Sequence, residues 1–201
     1  MKCHLCEEKP CGKGRPCIEK DSKPLYEDPE EARIFKVAAE VEALYYCELC
    51  RLEEIMEFAR RMNYRKIGLA FCIGLAEEAR VVGEILSKEF EVESVCCKVG
   101  GLSKEDFDMP LRPWIGKVSC NPAEQARILD EEGCQLLVVL GLCVGHDSIF
   151  YRHAKAPVTT LVTKDRKLGH NPVAAIYCPY IKKNLRYEPE ERKGGKPNGG
   201  K

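Results

Sequence analysis

The chain has 201 residues, enough for one α/β domain and a small appendage. Its 32 basic residues balance its 32 acidic ones, which predicts neither a nucleic acid nor a membrane surface as partner. The longest nearly apolar run, Leu136 to Gly145, is too short to span a bilayer, and no signal-like segment opens the chain. We therefore expect a cytoplasmic protein whose 13 cysteines serve metal binding or thiol chemistry, with a few buried as small apolar residues, rather than disulfides.

The first predicted segment, residues 1–24, is a cysteine-rich knuckle with too few apolar side chains to fill a core. Asp28 and Pro29 then have the residue types of a helix start. A helical pattern runs from there to about Asn63, either as one helix or as two joined near Tyr46.

Beyond this helical segment, predicted strands alternate with predicted helices. Strands are expected at Lys66–Cys72, Val92–Val99, Gln135–Leu142 and Pro157–Thr163, and helices at Leu75–Lys88, Pro122–Glu132, Asp147–His153 and from Asn171 to about Leu185. This alternation indicates βαβ units and a Rossmann-like α/β fold, with an open parallel sheet of about four strands and flanking helices. The expected domains are the knuckle (1–24), an α/β domain with an N-terminal helical segment (25–187) and a disordered tail (188–201), whose residues are mostly Pro, Gly and charged.

Four cysteines of the knuckle lie within fifteen residues: Cys3, Cys6, Cys11 and Cys17. The C-x2-C spacing of the first two lets both sulfurs reach one ion from a tight turn. Four thiolates suit zinc or an iron–sulfur cluster, and the spacing does not distinguish them because the spacings typical of ferredoxins are absent. We predict a metal site here, in which His4 could replace one cysteine. The alternative is a disordered tail with incidental cysteines.

Cys47 and Cys50 fall within the helical pattern, three residues apart, so they are predicted to share a helix face. They could complete the nearby metal site or form a redox pair. Alternatively, Cys47 continues the apolar stripe that includes Leu44.

A second set of cysteines lies at predicted strand ends or helix starts: Cys72, Cys97, Cys120 and Cys143. Parallel sheets bind ligands at the carboxyl ends of their strands, so we predict that the four converge and bind a cofactor, zinc or an iron–sulfur cluster. Helix amino termini also lower thiol pKa values and favour the thiolate. Because side chains alternate along a strand, Cys96 is expected in the core instead of Cys97. The alternative is four independently buried cysteines.

Polar residues are predicted at the same edge of the sheet. His146 and Asp147 follow the third strand, Lys164 follows the fourth, and His170 opens the last helix. Imidazoles titrate near neutrality, a carboxylate can orient an imidazole, and an ammonium binds anions, so these four are the predicted catalytic residues. Each has a local alternative, since Asp147 and His170 could be caps and Lys164 could lie in a solvated loop. Arg166, two residues after Lys164, is a second basic group that could bind an anion, so the expected partner is a small anionic ligand or a redox partner.

The segments CNPAEQARIL (120–129) and GLCVGHDSIFYRHAKAPVTTLVTKDRKLGHNP (141–172) resemble an uncharacterised prokaryotic family of cysteine-rich proteins. That family is described only as metal-binding or as a domain of unknown function. The knuckle and the strand IGLAFCIGL (67–75) are similar to it as well, so the resemblance covers nearly the whole chain. It implies metal binding and supplies no reaction.

Three functions are compatible with these patterns. The first is a metal-binding protein, with zinc or an iron–sulfur cluster, that acts as a redox or sulfur-handling enzyme at the carboxyl edge of the sheet. The second is a non-catalytic, zinc-stapled binding module. The third is a metal-free thiol enzyme, with Cys72 or Cys143 as nucleophile and His146 or His170 as base.

Overall fold

The computed structural model describes residues 1–185, so the tail predicted at 188–201 lies outside the described residues. The chain divides into two compact units, Met1–Asn63 and a second that begins at Tyr64. The helical segment that we grouped with the α/β domain therefore belongs to the first unit, where its two helices pack on each other. Among the described helices, none combines the length and the apolar character needed to cross a membrane.

The first unit contains two α-helices, α1 (Pro29–Tyr45) and α2 (Arg51–Met62), so the helical pattern forms two helices rather than one. The predicted cap of α1 is present, because the Asp28 carboxylate accepts the N–H groups of the second and third helical residues. Three 3₁₀ turns precede it, and no side chain before Val37 is buried. Residues 1–24 thus have no apolar core of their own.

The second unit is a parallel sheet with helices between its strands. The strands are β1 (Lys66–Phe71), β2 (Glu91–Cys96), β3 (Leu136–Leu140) and β4 (Val158–Val162), and the helices are α3 (Ala76–Leu86), α4 (Pro122–Glu131), α5 (His146–His153), α6 (Ala174–Tyr177) and α7 (Pro179–Asn184). All strand pairs are parallel, in the order β2-β1-β3-β4. The predicted Rossmann-like α/β class is confirmed.

Strand β3 is buried along its whole length, as its LLVVL sequence predicts for a strand covered on both faces. Helices α4 and α5 pack on one face of the sheet, where Leu137 and Val139 contact a cluster that includes Leu129 and Phe150. Helix α3 packs against β1 and β2. The chain passes from β1 outward to β2 and then returns to β3 on the other side of β1. The carboxyl ends of β1 and β3 therefore form the switch point at which such sheets bind ligands.

The prediction of one continuous helix at the end of the domain is wrong. Instead of one helix from Asn171 to about Leu185, the chain forms α6 and α7, separated at Cys178. Cys178 has an extended backbone, with ψ of 112°, because the ring of Pro179 disfavours the helical conformation in the residue before it.

Candidate metal centre

Four cysteine sulfurs lie in a row along the carboxyl edge of the sheet, in the order Cys120, Cys97, Cys72 and Cys143. Cys120 Sγ and Cys97 Sγ are 3.7 Å apart, and the Cys72 thiol lies close enough to those of Cys97 and Cys143 for them to lower its pKa. Cys97, Cys72 and Cys143 follow β2, β1 and β3, so the order of their sulfurs is the order of the strands. The structure thus brings together the four thiols that the sequence places at strand ends.

The chain segments that carry these cysteines contact one another through backbone packing and a backbone hydrogen bond. Gly141, in the loop to Cys143, has φ of +67°, and an added Cβ would lie 2.1 Å from Leu75 Cδ1, so this loop packs directly on the turn that follows Cys72. Only glycine tolerates both that backbone conformation and so close an approach. On the other side, the Asn121 N–H donates to the Cys97 carbonyl over 2.8 Å, which anchors the neighbouring Cys120.

Backbone amides of the turn after β1 point at two of the sulfurs. The Ile73 N–H donates to Cys97 Sγ over 3.3 Å, and the Gly74 N–H donates to the Cys72 thiol. Amide donors favour the charged form of a thiol because they supply partial positive charge without a proton. The turn can therefore hold thiolate sulfur, the form that ligates metal.

Three cations lie beside the same row. Arg166 Nη2 donates to Cys143 Sγ over 3.1 Å at one end, and at the other Lys98 Nζ lies 3.6 Å from Cys120 Sγ and donates to a backbone carbonyl. The charge of Lys164 acts on Cys72, near the middle. The negative charge of a thiolate row is thus balanced by lysine and arginine.

The four thiols differ in their pKa values because they share protons. The pKa of Cys120 falls to about 5, first through its hydrogen bond with Cys97 and then through the nearby charges of Lys98 and His146, while burial opposes the shift. Hydrogen bonds with Cys143 and Cys97 lower the pKa of Cys72 as well. The pKa values of Cys97 and Cys143 are raised, by their hydrogen bonds to the sulfurs beside them and by burial. Without metal, protons therefore remain on Cys97 and Cys143.

Two predicted catalytic residues, His146 and Asp147, follow β3 and have different surroundings in the structure. His146 lies near enough to Cys120 to lower the pKa of that thiol, and its Nδ1 is buried without a hydrogen-bond partner in the described part of the chain. The Asp147 carboxylate accepts N–H groups of its own turn, from Gly145 over 2.9 Å and Ser148 over 2.8 Å. These hydrogen bonds are local to the first turn of α5, but Asp147 is not its N-cap, because Gly145 occupies that position.

The other two predicted catalytic residues follow β4. Lys164 lies at the thiol row. His170 instead forms hydrogen bonds within its own loop: its imidazole Nδ1 accepts the backbone N–H of Asp165 over 3.1 Å, and its backbone N–H donates to the Asp165 carbonyl over 2.8 Å. Within residues 1–185, His170 makes no hydrogen bond to any of the four thiols. Both hydrogen bonds join His170 to Asp165, five residues earlier, and so stabilise the loop after β4.

Two residues of this region were not among the predicted site residues. Arg166 contacts Cys143, whereas the sequence indicated only that it is a basic group able to bind an anion. Gln125 is fully buried beneath the row, and its Nε2 donates to the carbonyls of Val95, over 2.7 Å, and Phe71, over 3.3 Å, near the ends of β2 and β1. A sequence signal existed for it, because Gln125 occupies the apolar stripe of α4.

The knuckle cysteines Cys3, Cys6, Cys11 and Cys17 line one cavity of about 320 Å³ in the first unit. All four are exposed, and His4 is not among the residues that line the cavity. The Lys9 side chain donates to the carbonyls of Cys6, over 3.0 Å, and of Cys3, over 3.4 Å, which closes the turn between the first two cysteines.

Cys47 and Cys50 do not share a helix face as predicted. They lie in the turn between α1 and α2, and both are exposed. Cys47 has φ of +62°, so the chain has already left α1, and its packing in the stripe of Leu44 is not observed.

Neither cysteine group, as its side chains are placed, has the geometry of a single-ion site. Within residues 1–185, no three or more His, Cys, Asp or Glu side chains are arranged to hold one metal ion. The central sulfurs contact one another pairwise along a row instead of surrounding one point. A single ion would therefore need a rearrangement of these side chains.

Comparison of the sequence with known proteins identifies a family whose matching members carry no described activity. A family described as "protein of unknown function (DUF1847)" matches residues 12–161. The "uncharacterized protein MJ0455" of Methanocaldococcus jannaschii is 46% identical over 189 residues, which cover 92% of this chain and 98% of that protein. These matches confirm the resemblance to a family of unknown function.

Solved structures offer only a distant likeness. A crystal structure of Dph2 from Pyrococcus horikoshii with a 4Fe-4S cluster matches 67% of this chain at 16% identity, with a TM-score of 0.37. A second Dph2 structure from the same organism matches 66% of it, with a TM-score of 0.36. The matched part spans about a third of Dph2, 33% and 32% of the two chains.

Proposed function

We propose, for a chain that belongs to the DUF1847 family of proteins of unknown function, that it is a metalloprotein whose centre is held by Cys72, Cys97, Cys120 and Cys143. One observation carries the proposal: four thiols from four separate chain segments contact one another at the switch point of a parallel sheet. Packing alone has no need to collect thiols at the edge where such folds bind ligands.

The distance between two of these sulfurs fits a shared metal. A Zn–S bond of about 2.3 Å in a tetrahedral site places two ligand sulfurs about 3.8 Å apart. Cys97 Sγ and Cys120 Sγ are 3.7 Å apart. Iron in an iron–sulfur cluster is also bound by cysteine thiolates, so this distance supports thiolate ligation without choosing the metal.

The surroundings also suit a metal–thiolate centre. The buried Nδ1 of His146 has no hydrogen-bond partner within residues 1–185, and a buried polar atom normally has one. A metal beside Cys120 would give this nitrogen a ligand position. Arg166 and Lys98, which contact the terminal sulfurs, would balance the negative charge that four thiolates leave on a divalent ion.

The bound metal determines what the centre can do. Zinc has no redox chemistry, and with four thiolates it is closed to substrate and serves structure. An iron–sulfur cluster can accept and release an electron, which would make the protein a redox or sulfur-handling enzyme. We propose the second role, because the site lies at the ligand-binding edge of the sheet rather than in a peripheral loop.

Metal-free thiol chemistry is the second candidate, and the lowered pKa of Cys120 favours it. With a pKa of about 5, Cys120 is a thiolate at neutral pH, and Cys97 lies close enough to form a disulfide after a small movement. A nucleophile and a resolving thiol would then be neighbours, with Lys98 stabilising the thiolate.

Metal analysis of matched variants separates the two candidates. The protein is purified without oxygen, and iron, zinc and the visible spectrum are measured for the wild type, Cys72→Ser and Cys96→Ser. Cys72 lies inside the sulfur row, whereas Cys96 packs beside the core. We expect metal at this site in the wild type and in Cys96→Ser, and a loss of most of the metal of this site alone in Cys72→Ser. The proposal fails if Cys72→Ser retains the full metal content of this site.

We further propose that Cys3, Cys6, Cys11 and Cys17 hold a second, structural metal. The four thiols line one cavity in a segment without buried side chains, so metal binding would have to supply the energy that orders it. Replacing Cys6 and Cys11 by serine together should release one metal equivalent and leave residues 1–24 sensitive to protease. Unchanged metal and protease resistance would contradict this second site.

A further inference from the structure

We infer that Arg166 and Lys164 bind a small oxyanion, a carboxylate or a phosphate group, beside the sulfur row. This inference rests on the proposed function, because it places the anion next to the metal–thiolate centre. It names the substrate class of that centre and two residues that select it.

The first observation that supports this inference is the environment of the Lys164 ammonium group. The lysine side chain is half-buried, yet within residues 1–185 it forms no hydrogen bond or ion pair with a carboxylate. A comparably placed lysine elsewhere in the unit is paired: Lys66 Nζ lies 3.0 Å from a Glu91 oxygen and 3.2 Å from a Glu93 oxygen. The negative neighbour of Lys164 is instead the Cys72 thiol, and a metal bound to that sulfur would share its charge, so Lys164 could then bind an external anion.

Arg166 supplies the recognition geometry. Its guanidinium uses Nη2 on Cys143 Sγ and forms no ion pair with a carboxylate in the described part of the chain. The guanidinium carries five donors in a planar fork that matches carboxylate and phosphate oxygens. The residue is exposed, so an anion can approach these remaining donors from solvent.

The carboxylate closest in sequence is already engaged elsewhere. Asp165 lies between the two cations in the chain, but its Oδ1 accepts the N–H groups of Lys167, over 3.0 Å, and Leu168, over 2.9 Å. Within residues 1–185, the thiols of the row are the groups whose negative charge acts on these cations, and metal coordination withdraws charge from them. A metal-loaded centre therefore holds the two cations less strongly than free thiolates do, and Lys164 and the Arg166 donors that do not contact Cys143 can bind an external anion.

The experiment titrates the anaerobically purified protein by calorimetry with inorganic phosphate and, separately, with acetate, at constant ionic strength. The wild type is compared with Arg166→Gln and Lys164→Gln. The matched control is Lys167→Gln, because Lys167 lies in the same loop and only its backbone N–H is used. Visible spectra recorded during each titration test whether the bound anion lies next to the centre.

We expect Arg166→Gln and Lys164→Gln each to weaken anion binding about tenfold or more, the loss that follows from one charge-assisted hydrogen bond. Lys167→Gln should change it less than about twofold, since an exposed charge contributes little. Stronger binding of phosphate or of acetate identifies which oxyanion the site prefers. A wild type that binds neither anion, or variants that all bind equally, would overturn the inference.

Metal content, measured on each sample, keeps this test separate from that of the centre. Full metal with no anion binding overturns the oxyanion site and leaves the metal proposal intact. Anion binding that depends on Arg166 in a protein without metal at the sulfur row overturns the metal proposal and leaves the anion site intact.

Discussion

Replacing Gly141 by alanine tests whether close packing of two loops holds the sulfur row together. Gly141 has φ of +67°, and an added Cβ would lie 2.1 Å from Leu75 Cδ1. Leu75 is only 3% exposed, so its side chain cannot move into solvent to make room. Gly141→Ala therefore adds backbone strain and a steric overlap, and it pushes apart the turn after Cys72 and the loop that carries Cys143.

The size of the effect follows from these two causes. An L-residue in the left-handed region costs about 1–2 kcal/mol, and overpacking a buried site adds about 1–3 kcal/mol. We expect Gly141→Ala to lower the free energy of unfolding by about 2–5 kcal/mol. Gly133 is the matched control, because its φ is +75° and an added Cβ would meet nothing within 4 Å. Gly133→Ala should therefore cost only the strain, about 1–2 kcal/mol.

Urea unfolding followed by circular dichroism measures both variants, with the slope checked to be unchanged. The steric part is isolated by adding Leu75→Ala to each, because removing the Leu75 side chain relieves the overlap only in the Gly141 variant. We also expect less bound metal in Gly141→Ala than in Gly133→Ala. If the two glycine variants lose equal stability, the close approach of the two loops would not exist in solution, and the reasoning would be refuted.

Three further outcomes are expected. In metal-free, reduced protein, Cys120 should react with iodoacetamide at pH 6, because its pKa of about 5 makes it a thiolate at that pH, and the reaction rate should fall below pH 5. Cys134 is the control, because burial raises its pKa to about 11 and it should stay unmodified. Equal labelling of the two cysteines, measured by mass spectrometry, would contradict this prediction. Gln125→Leu should lower the free energy of unfolding by about 1 kcal/mol in urea titrations, because the Val95 carbonyl loses a buried donor, while removal of the buried Gln125 Oε1, which has no partner within residues 1–185, offsets part of this loss. An unchanged midpoint would argue against that bond. Asp28→Ala should cost about 1 kcal/mol through loss of the α1 cap, whereas Asp28→Asn should restore most of it.

The sheet and the convergence of thiols were predictable because both follow from local signals and a general topological rule. The apolar run of β3 and the glycine-rich turns after β1 and β3 mark the strands and their ends. Carboxyl ends of neighbouring parallel strands meet at one edge, so Cys72, Cys97 and Cys143 had to lie near one another once their strands were adjacent. Sequence pattern and chain connectivity were enough for this part of the site.

Contacts made by loop side chains could not be predicted from the sequence, because the directions of these side chains are set by tertiary packing. Asp147 and His170 were equally suited to a site or to a local turn, and the folded chain gives them backbone partners in their own turns. Arg166 reaches Cys143 only because the loops after β3 and β4 pack side by side. The separation of the first unit at Asn63 was likewise decided by packing, since α1 and α2 bury their apolar stripes against each other.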